Sequence, residues 1–309
     1  MKNLTNRLVA IVGPTATGKS RLALYLAQTF DGEIVSADSR QVYRHMDIGT
    51  AKPSLEELSL IPHHLINIIN PDENFSLAQY QEIASRTISD IQERDKLALL
   101  VGGSGQYIWS LVEGWGIPEV PPDPELRRSL EEAAKTDKDE LYQQLKDVDP
   151  EAGQRIDPRN VRRVIRALEV NTNSQVPFSQ LQRKQAPPFD VLIIGLTLDR
   201  TELYHRIDVR VDKMMELGLV EEVKRLVNMG YDPDLPAMSG IGYKQVAMFL
   251  RGESTLPTAI QQIKFETHRF VRQQYNWFQL TDDRIYWFDI LYEPVSKMIE
   301  LVSEFVGSE

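Results

Sequence analysis

Apolar and polar positions along the chain fall into two rhythms. Short runs rich in β-branched and aliphatic residues occupy 7–12 (Arg-Leu-Val-Ala-Ile-Val), 33–37, 64–69, 97–101, 191–198 and 284–288. Runs of this kind suit strands of a parallel sheet, buried on both faces. Between several of them apolar residues recur at helical spacing. The stretch 20–30 places Leu22, Ala23, Leu26, Ala27 and Phe30 on one face, and 76–93 opens on a serine suited to an N-cap. Longer helical patterns run over 201–229 and 256–280. Strands alternating with helices predict an α/β fold, a parallel sheet core flanked by helices.

The alternation stops at Ile117-Pro118-Glu119-Val120-Pro121-Pro122-Asp123-Pro124 and resumes after Ala186-Pro187-Pro188. The stretch between is polar and strandless. This predicts a first part of the core at 1–118, a small all-helical insert at 119–189 carried on two proline-stiffened joints, and the rest of the core at 190–309.

Composition narrows the class. The 309 residues are 42% hydrophobic and 26% charged, enough for a substantial core. No stretch approaches the ~18 consecutive apolar residues of a membrane span. Met1-Lys2-Asn3-Leu4 leads into the first strand without a cleavable signal pattern. A cytoplasmic protein without a membrane partner is expected, acting as a monomer. There are no cysteines, which excludes disulfides, thiol catalysis and Cys-ligated zinc. A net charge of −10 argues against nonspecific coating of nucleic acid, yet a docked polyanion responds to local charge.

The first strand runs into Gly13-Pro14-Thr15-Ala16-Thr17-Gly18-Lys19-Ser20 and then a helix. This is G-x-x-x-x-G-K-[ST] in the context its mechanism needs, and it makes the core P-loop NTPase-like. Backbone N–H groups wrap phosphate oxygens, Lys19 reaches the outer phosphate, and the Ser20 hydroxyl is suited to Mg²⁺. The motif names a ligand group and not a reaction. Nucleotide motors add an Asp after a second apolar strand, but 97–101 ends in Gly102-Gly103. Asp199 and Asp289, which follow later strands, read better as strand-end caps. Asp38 stands just past the second strand, where carboxyl ends of neighbouring strands share one crevice, so it is expected to face the P-loop.

Asp38-Ser-Arg-Gln-Val-Tyr-Arg-His-Met-Asp-Ile-Gly-Thr-Ala-Lys-Pro53, together with the P-loop, closely resembles the signature of bacterial tRNA dimethylallyltransferases. The resemblance continues through Pro62-His63-His64-Leu65, Gly102-Gly103-Ser104-Gly105-Gln106-Tyr107, 162–169, 206–211 and 240–245. Family members commonly carry Thr at Ser104, Leu at Gln106 and Asp at Asn67.

The resemblance implies transfer of a dimethylallyl group from dimethylallyl diphosphate to N6 of the adenosine 3′ of the tRNA anticodon, with Mg²⁺ and release of diphosphate. It implies a catalytic set of Lys19, Asp38, Ser104 and Arg210, the last on the diphosphate. It also implies contacts to the tRNA anticodon stem-loop from Asp38, Ser39, Arg40, Gln41, Ser104, Arg127, Arg162, Arg163, Val164, Ile165, Arg166, Ser239, Gly240, Ile241, Gly242, Tyr243 and Lys244. The chemistry agrees: a cationic cradle stabilises a leaving polyanion, and a weakly nucleophilic aromatic amine must give up a proton, which Asp38 is placed to take.

Within the insert, Arg155, Arg159, Arg162, Arg163 and Arg166 are spaced to line one helix face. We expect that stripe to grip phosphates, having few acidic partners beyond Asp157 and Glu169. His63-His64 lacks the spacing of a helical metal pair and fits a structural or positioning role. The segment 268–278 mixes basic and aromatic residues as nucleic-acid surfaces do, but aromatic residues at helical spacing more often pack in a core; both roles fit if Arg269 and Arg272 point outward. Two rival readings follow from the P-loop: a small-molecule or nucleotide kinase with the insert as lid, and a noncatalytic tRNA-binding protein that uses the loop as a switch.

Overall fold

The computed structural model describes residues 6–184, 186 and 189–307. Met1-Lys2-Asn3-Leu4 and, in the second joint, Pro187 and Pro188 lie outside the described residues. The chain divides into two compact units, Met1–Val112 with Pro188–Glu309, and Glu113–Pro187, where the sequence pointed to an insert at 119–189.

The first unit begins β1 (Arg7–Val12), α1 (Lys19–Phe30), β2 (Gly32–Ala37), α2 (Leu55–Leu60), β3 (His63–His64), α3 (Leu77–Glu93), β4 (Leu97–Gly102) and α4 (Gly105–Val112). The second unit holds α5 (Pro124–Thr136), α6 (Lys138–Val148), α7 (Pro150–Arg155), α8 (Val161–Asn173) and α9 (Phe178–Leu181). The first unit resumes with β5 (Asp190–Thr197), α10 (Arg200–Glu216), α11 (Leu219–Asn228), α12 (Tyr243–Leu250), α13 (Leu256–Trp277), β6 (Ile285–Asp289) and α14 (Val295–Gly307).

Among the described residues these strands form one parallel sheet in the order β3-β2-β4-β1-β5-β6. Every residue of β1, β2 and β4 is buried, as their unbroken apolar runs require. Leu22, Leu26 and Phe30 of α1 share a cluster with Met298, Val302 and Val306 of α14 and with Val9, Ile11, Leu99 and Ile194 of the sheet. Burial of each such side chain contributes about 1.5–3 kcal/mol. The P-loop, the Asp38 turn and the Gly102-Gly103 turn all leave carboxyl ends of strands, which is where open α/β sheets bind ligands.

Three elements differ from the sequence expectation. The strand expected at 64–69 is cut short because Leu65 and Asn67 adopt φ of 63° and 56°, outside the extended region. Only Ile69 rejoins, as an isolated bridge to Tyr43. The helix expected at 201–229 is two helices, because Gly218 turns at φ 96°, a conformation glycine adopts at no steric cost. The pattern at 256–280 stops being helical after Trp277.

The second unit has its own core, in which Leu141, Leu145, Ile156, Val164, Ile165, Leu168 and Phe178 pack together. Asp149, 3% exposed, caps α7 by accepting from Ala152 N–H at 3.0 Å and reaches Ser179 N–H at 2.8 Å. Burial opposes its charge, but those amide hydrogen bonds hold its carboxyl below the usual range.

Candidate active site

The P-loop residues 13–18 join β1 to α1, and a cavity of about 320 Å³ opens against them. Its walls include Thr15, Gly18, Lys19 and Ser20 from the loop and helix, Asp38 and Gln41 from the turn after β2, Gly102 and Gly103 after β4, and Arg210 from α10. The sequence thus placed Asp38 correctly, in one cavity with the P-loop. Three of the four residues of the catalytic set meet there; Ser104, half-buried and next in sequence to Gly103, is not among the lining residues.

Lys19 Nζ donates to Pro14 O at 2.7 Å. Desolvation, then the charge of Arg210, pulls its ammonium down to about 7, while Asp38 pulls it back up. Arg210 is lowered by burial and raised by the same carboxylate. Neither cation has a salt bridge among the described residues, and the exposed Arg21 also lines the wall, so the cavity sets three basic side chains against the one carboxylate of Asp38 and favours an anion. The loop is tied internally by Thr17 Oγ1, which donates to Pro14 O at 2.8 Å.

Asp38 Oδ1 accepts from Arg40 N–H at 2.8 Å, an Asx turn that fixes the carboxylate at the strand end. Ser104 Oγ accepts from Ser39 N–H at 3.0 Å, so its hydroxyl braces the same turn. Gln41 accepts from Ser36 Oγ at 3.0 Å and donates to Thr50 O and Ala51 O, both at 3.3 Å. The Arg40 guanidinium crosses to Pro236 O at 2.7 Å, Ala237 O at 3.2 Å and Ser239 Oγ at 3.3 Å. Two of the sequence blocks, 38–41 and 239–244, are therefore physically joined.

The second of these blocks also has an internal role. Tyr243 is 1% exposed, and its hydroxyl donates to Glu222 at 2.6 Å. Glu222, itself 1% exposed, accepts from the backbone N–H groups of Asp47, Ile48 and Gly49 at 3.0, 2.8 and 3.2 Å. Gly49 is required, since a Cβ there would overlap the Tyr243 ring. The pair pins the loop that carries Thr50, Ala51 and Pro53 into the cavity wall. In this block Gly240 and Gly242 are buried, Ile241 is half-buried, and Ser239 and Lys244 are exposed.

The arginine stripe needs correction. Arg155 ends α7, and Arg159 sits in a turn paired with Asp157 at 2.7 Å; only Arg162, Arg163 and Arg166 share α8. The expectation of few acidic partners fails as well. Glu169, fully buried, accepts from Arg127 and Arg166, each at 2.7 Å, and from Asp123 N–H at 2.8 Å. Arg155 lies 3.5 Å from Glu151. Val164 and Ile165 face the core of their unit, at 1% and 5% exposure, so their side chains do not reach a ligand. Arg162 and Arg163 are exposed and carry no salt bridge among the described residues.

Asp199 caps α10 through Thr201 and Glu202 N–H, and Asp289 accepts from Leu291 N–H at 3.0 Å. His63 Nδ1 meets Ile61 O at 2.8 Å and His64 Nε2 meets Glu33 at 2.7 Å; the first lines the cavity, and burial lowers its pKa. Asn67 accepts from Lys52 Nζ at 2.5 Å in a left-handed conformation that Asn tolerates well. Glu222 and Gln274 escaped the sequence reading, because a lone Glu or Gln on an amphipathic helix carries no distinguishing pattern. Among the described residues no cluster of three or more His, Cys, Asp or Glu is arranged to hold a metal, and no helix is long and apolar enough to cross a membrane.

Comparison with known proteins places these features in a lineage. The sequence model of the IPP transferase family matches residues 41–281. A tRNA dimethylallyltransferase of Chloroflexus aggregans is 54% identical over 275 residues, covering 89% of this chain and 93% of its own. The one from Dehalococcoides mccartyi is 48% identical over 301 residues, covering 97% and 93%. Among solved structures, the tRNA isopentenylpyrophosphate transferase of Bacillus halodurans superposes with TM-score 0.72 at 39% identity, covering 98% of this chain and 96% of its own. A eukaryotic dimethylallyltransferase acting on tRNA reaches TM-score 0.84 at 27% identity, covering 98% of this chain and 80% of its own. A family match that begins inside the Asp38 turn and runs beyond Arg210, joined to relatives this similar over nearly the whole length, means that the chain belongs to the IPP transferase family, with the tRNA dimethylallyltransferases.

Proposed function

We propose that the protein transfers a dimethylallyl group from dimethylallyl diphosphate to N6 of the adenosine 3′ of the anticodon in tRNA and releases diphosphate. The observation that carries this reading is the cavity in which two cations without salt-bridge partners, Lys19 and Arg210, and one carboxylate, Asp38, meet a P-loop. The donor's diphosphate takes the P-loop amides, Lys19 and Arg210, which stabilise the charge that grows on the leaving group. The target adenine leaves its stack to enter the crevice. As the C1–O bond of the donor breaks and the N6–C1 bond forms, the amine's proton passes to the Asp38 carboxylate. The Asx turn and Ser104 hold that carboxylate in position.

The residues present also fit Mg²⁺. Ser20 supplies a hydroxyl oxygen on the cavity, and Mg²⁺ commonly completes its shell with substrate phosphates and water. When bound there, the ion would neutralise charge on the diphosphate. On the second unit, exposed Arg162 and Arg163 serve as phosphate contacts, while Arg127 and Arg166 are held by Glu169. We place the enzyme in the cytoplasm, acting as a monomer.

The deciding experiment incubates the protein with labelled dimethylallyl diphosphate, Mg²⁺ and unmodified tRNA, then digests the RNA and analyses its nucleosides. Label on the adenosine 3′ of the anticodon is the expected result. ATP consumption without RNA and without prenyl transfer would overturn the assignment.

A further inference from the structure

We infer that Gln274 is a positioning residue that locks the donor-binding loop to the acceptor side of the active site, an inference that rests on the prenyl-transfer reading above. Gln274 is 2% exposed on α13. Its Oε1 accepts from Thr15 N–H at 2.9 Å, across 259 residues of sequence, and its Nε2 donates to Gly103 O at 3.0 Å. One side chain thus joins the loop after β1 to the turn after β4.

Few residues can do this. The site needs an acceptor toward Thr15 and a donor toward Gly103, and a glutamine amide supplies both at that reach. A Cβ at position 103 would overlap Gln274 Nε2, so the glycine there is the counterpart of the glutamine. The neighbouring residues fix the helix end that carries it. Tyr275 Oη and Thr197 Oγ1 lie 2.9 Å apart at the end of β5, and Trp109 Nε1 donates to Trp277 O at 2.9 Å. The last turn of α13 therefore braces the exits of β1, β4 and β5.

Two consequences bear on catalysis. Ala16, next to Thr15, has φ 69°, a left-handed conformation that persists in a non-glycine residue only when its surroundings enforce it. Gln274 supplies part of that enforcement, so the remaining loop amides keep their direction toward the diphosphate. On the other side Gly103 is followed by Ser104, whose hydroxyl holds the turn of Ser39 and Asp38. The chain from Thr15 through Gln274, Gly103, Ser104 and Ser39 to Asp38 sets the spacing between leaving group and proton acceptor.

The test measures steady-state prenyl transfer, tRNA affinity and melting temperature for wild type, Gln274→Leu and Gln274→Glu. Gln274→Leu keeps the bulk and removes both hydrogen bonds; its kcat is expected to fall on the order of 10²-fold, with tRNA Kd unchanged. In Gln274→Glu the introduced carboxylate still accepts from Thr15 but confronts Gly103 O. On protonation it regains a donor, so the ratio of its kcat to that of wild type should climb as pH falls from about 8 to about 6. A ratio flat with pH, or Gln274→Leu turning over at the wild-type kcat with only a lower melting temperature, would overturn the inference. If Gln274→Leu does not fold, the pH ratio of Gln274→Glu decides alone. Absence of transfer by the wild type would instead strike the proposed function, so the two failures are distinct.

Discussion

Truncating Glu222 to alanine tests how the donor cavity is kept in shape. The carboxylate satisfies three backbone N–H groups, those of Asp47, Ile48 and Gly49, and the Tyr243 hydroxyl. Removing it orphans four donors, each at a cost of about 1–3 kcal/mol when buried. Asp47 is exposed, and Ile48 and Gly49 are half-buried, so water can reach the vacated space and the lower end of that range applies. We expect a loss of about 3–5 kcal/mol and, for a unit of this size, a melting temperature lower by roughly 6–20 °C. Because the loop so anchored carries Thr50, Ala51 and Pro53 into the cavity, the donor KM should rise as well. The control is Glu221→Ala, its exposed sequence neighbour, expected within about 0.5 kcal/mol of wild type. Urea and thermal unfolding measure both. If Glu222→Ala loses no more stability than Glu221→Ala, the loop is held by something else and the reasoning fails.

Three further outcomes follow from the site. Lys19, brought to about 7, is charged below that pH and neutral above it, so donor affinity should weaken as pH rises through about 7; Lys19→Arg should remove the dependence, and an equally flat profile in wild type would refute it. Asp38→Asn keeps the Oδ1 that accepts from Arg40 N–H but cannot take the proton, so single-turnover chemistry should slow by ~10²–10⁴-fold while both substrates still bind; lost affinity with an intact bound-state rate would show that Asp38 only positions the RNA. Arg162→Ala with Arg163→Ala should flatten the salt dependence of tRNA binding by roughly one unit per lost phosphate contact without changing melting temperature, whereas Arg166→Ala, which strips a partner from buried Glu169, should destabilise the insert; titrations over a salt series and thermal melts separate the two.

The parts of the site that the sequence revealed are those whose chemistry lies in a fixed local spacing. The P-loop and Asp38 each follow a strand directly, so strand order alone brought them to one crevice. Gln274 and Glu222 were hidden because their partners are backbone groups far along the chain, and backbone groups leave no trace in sequence. Tyr243, Val164 and Ile165 stood inside blocks shared with the family and so passed for contacts, yet all three are buried. Their apolar character was the available signal, and for Val164 and Ile165 helical spacing to Leu168 reinforced it. The arginine stripe failed for a reason visible in the sequence. Pro158 interrupts it, and proline with its preceding residue ends a helix, so Arg155 and Arg159 could not continue the face of α8.

Gly116 lies so close to Leu181 and Arg183 that a Cβ on it would come within 2.6 and 2.5 Å of their carbonyl oxygens. The two ends of the insert therefore run side by side within their own unit, and this bears on the order in which the protein folds. β1 can pair with β4 as soon as both have left the ribosome, but its other edge waits for β5, with Arg7 opposite Asp190. An insert that folds on emergence brings Gly116 to Arg183 and removes the stretch between them from the loop that β1 and β5 must close. With β4 already on β1 the loop to be closed runs only from β4 to β5, and the entropic saving is about 1 kcal/mol, because closure entropy grows with the logarithm of length. The larger gain is kinetic: the open edge of β1, an apolar strand without its neighbour, is covered sooner, which shortens the interval in which such an edge invites aggregation.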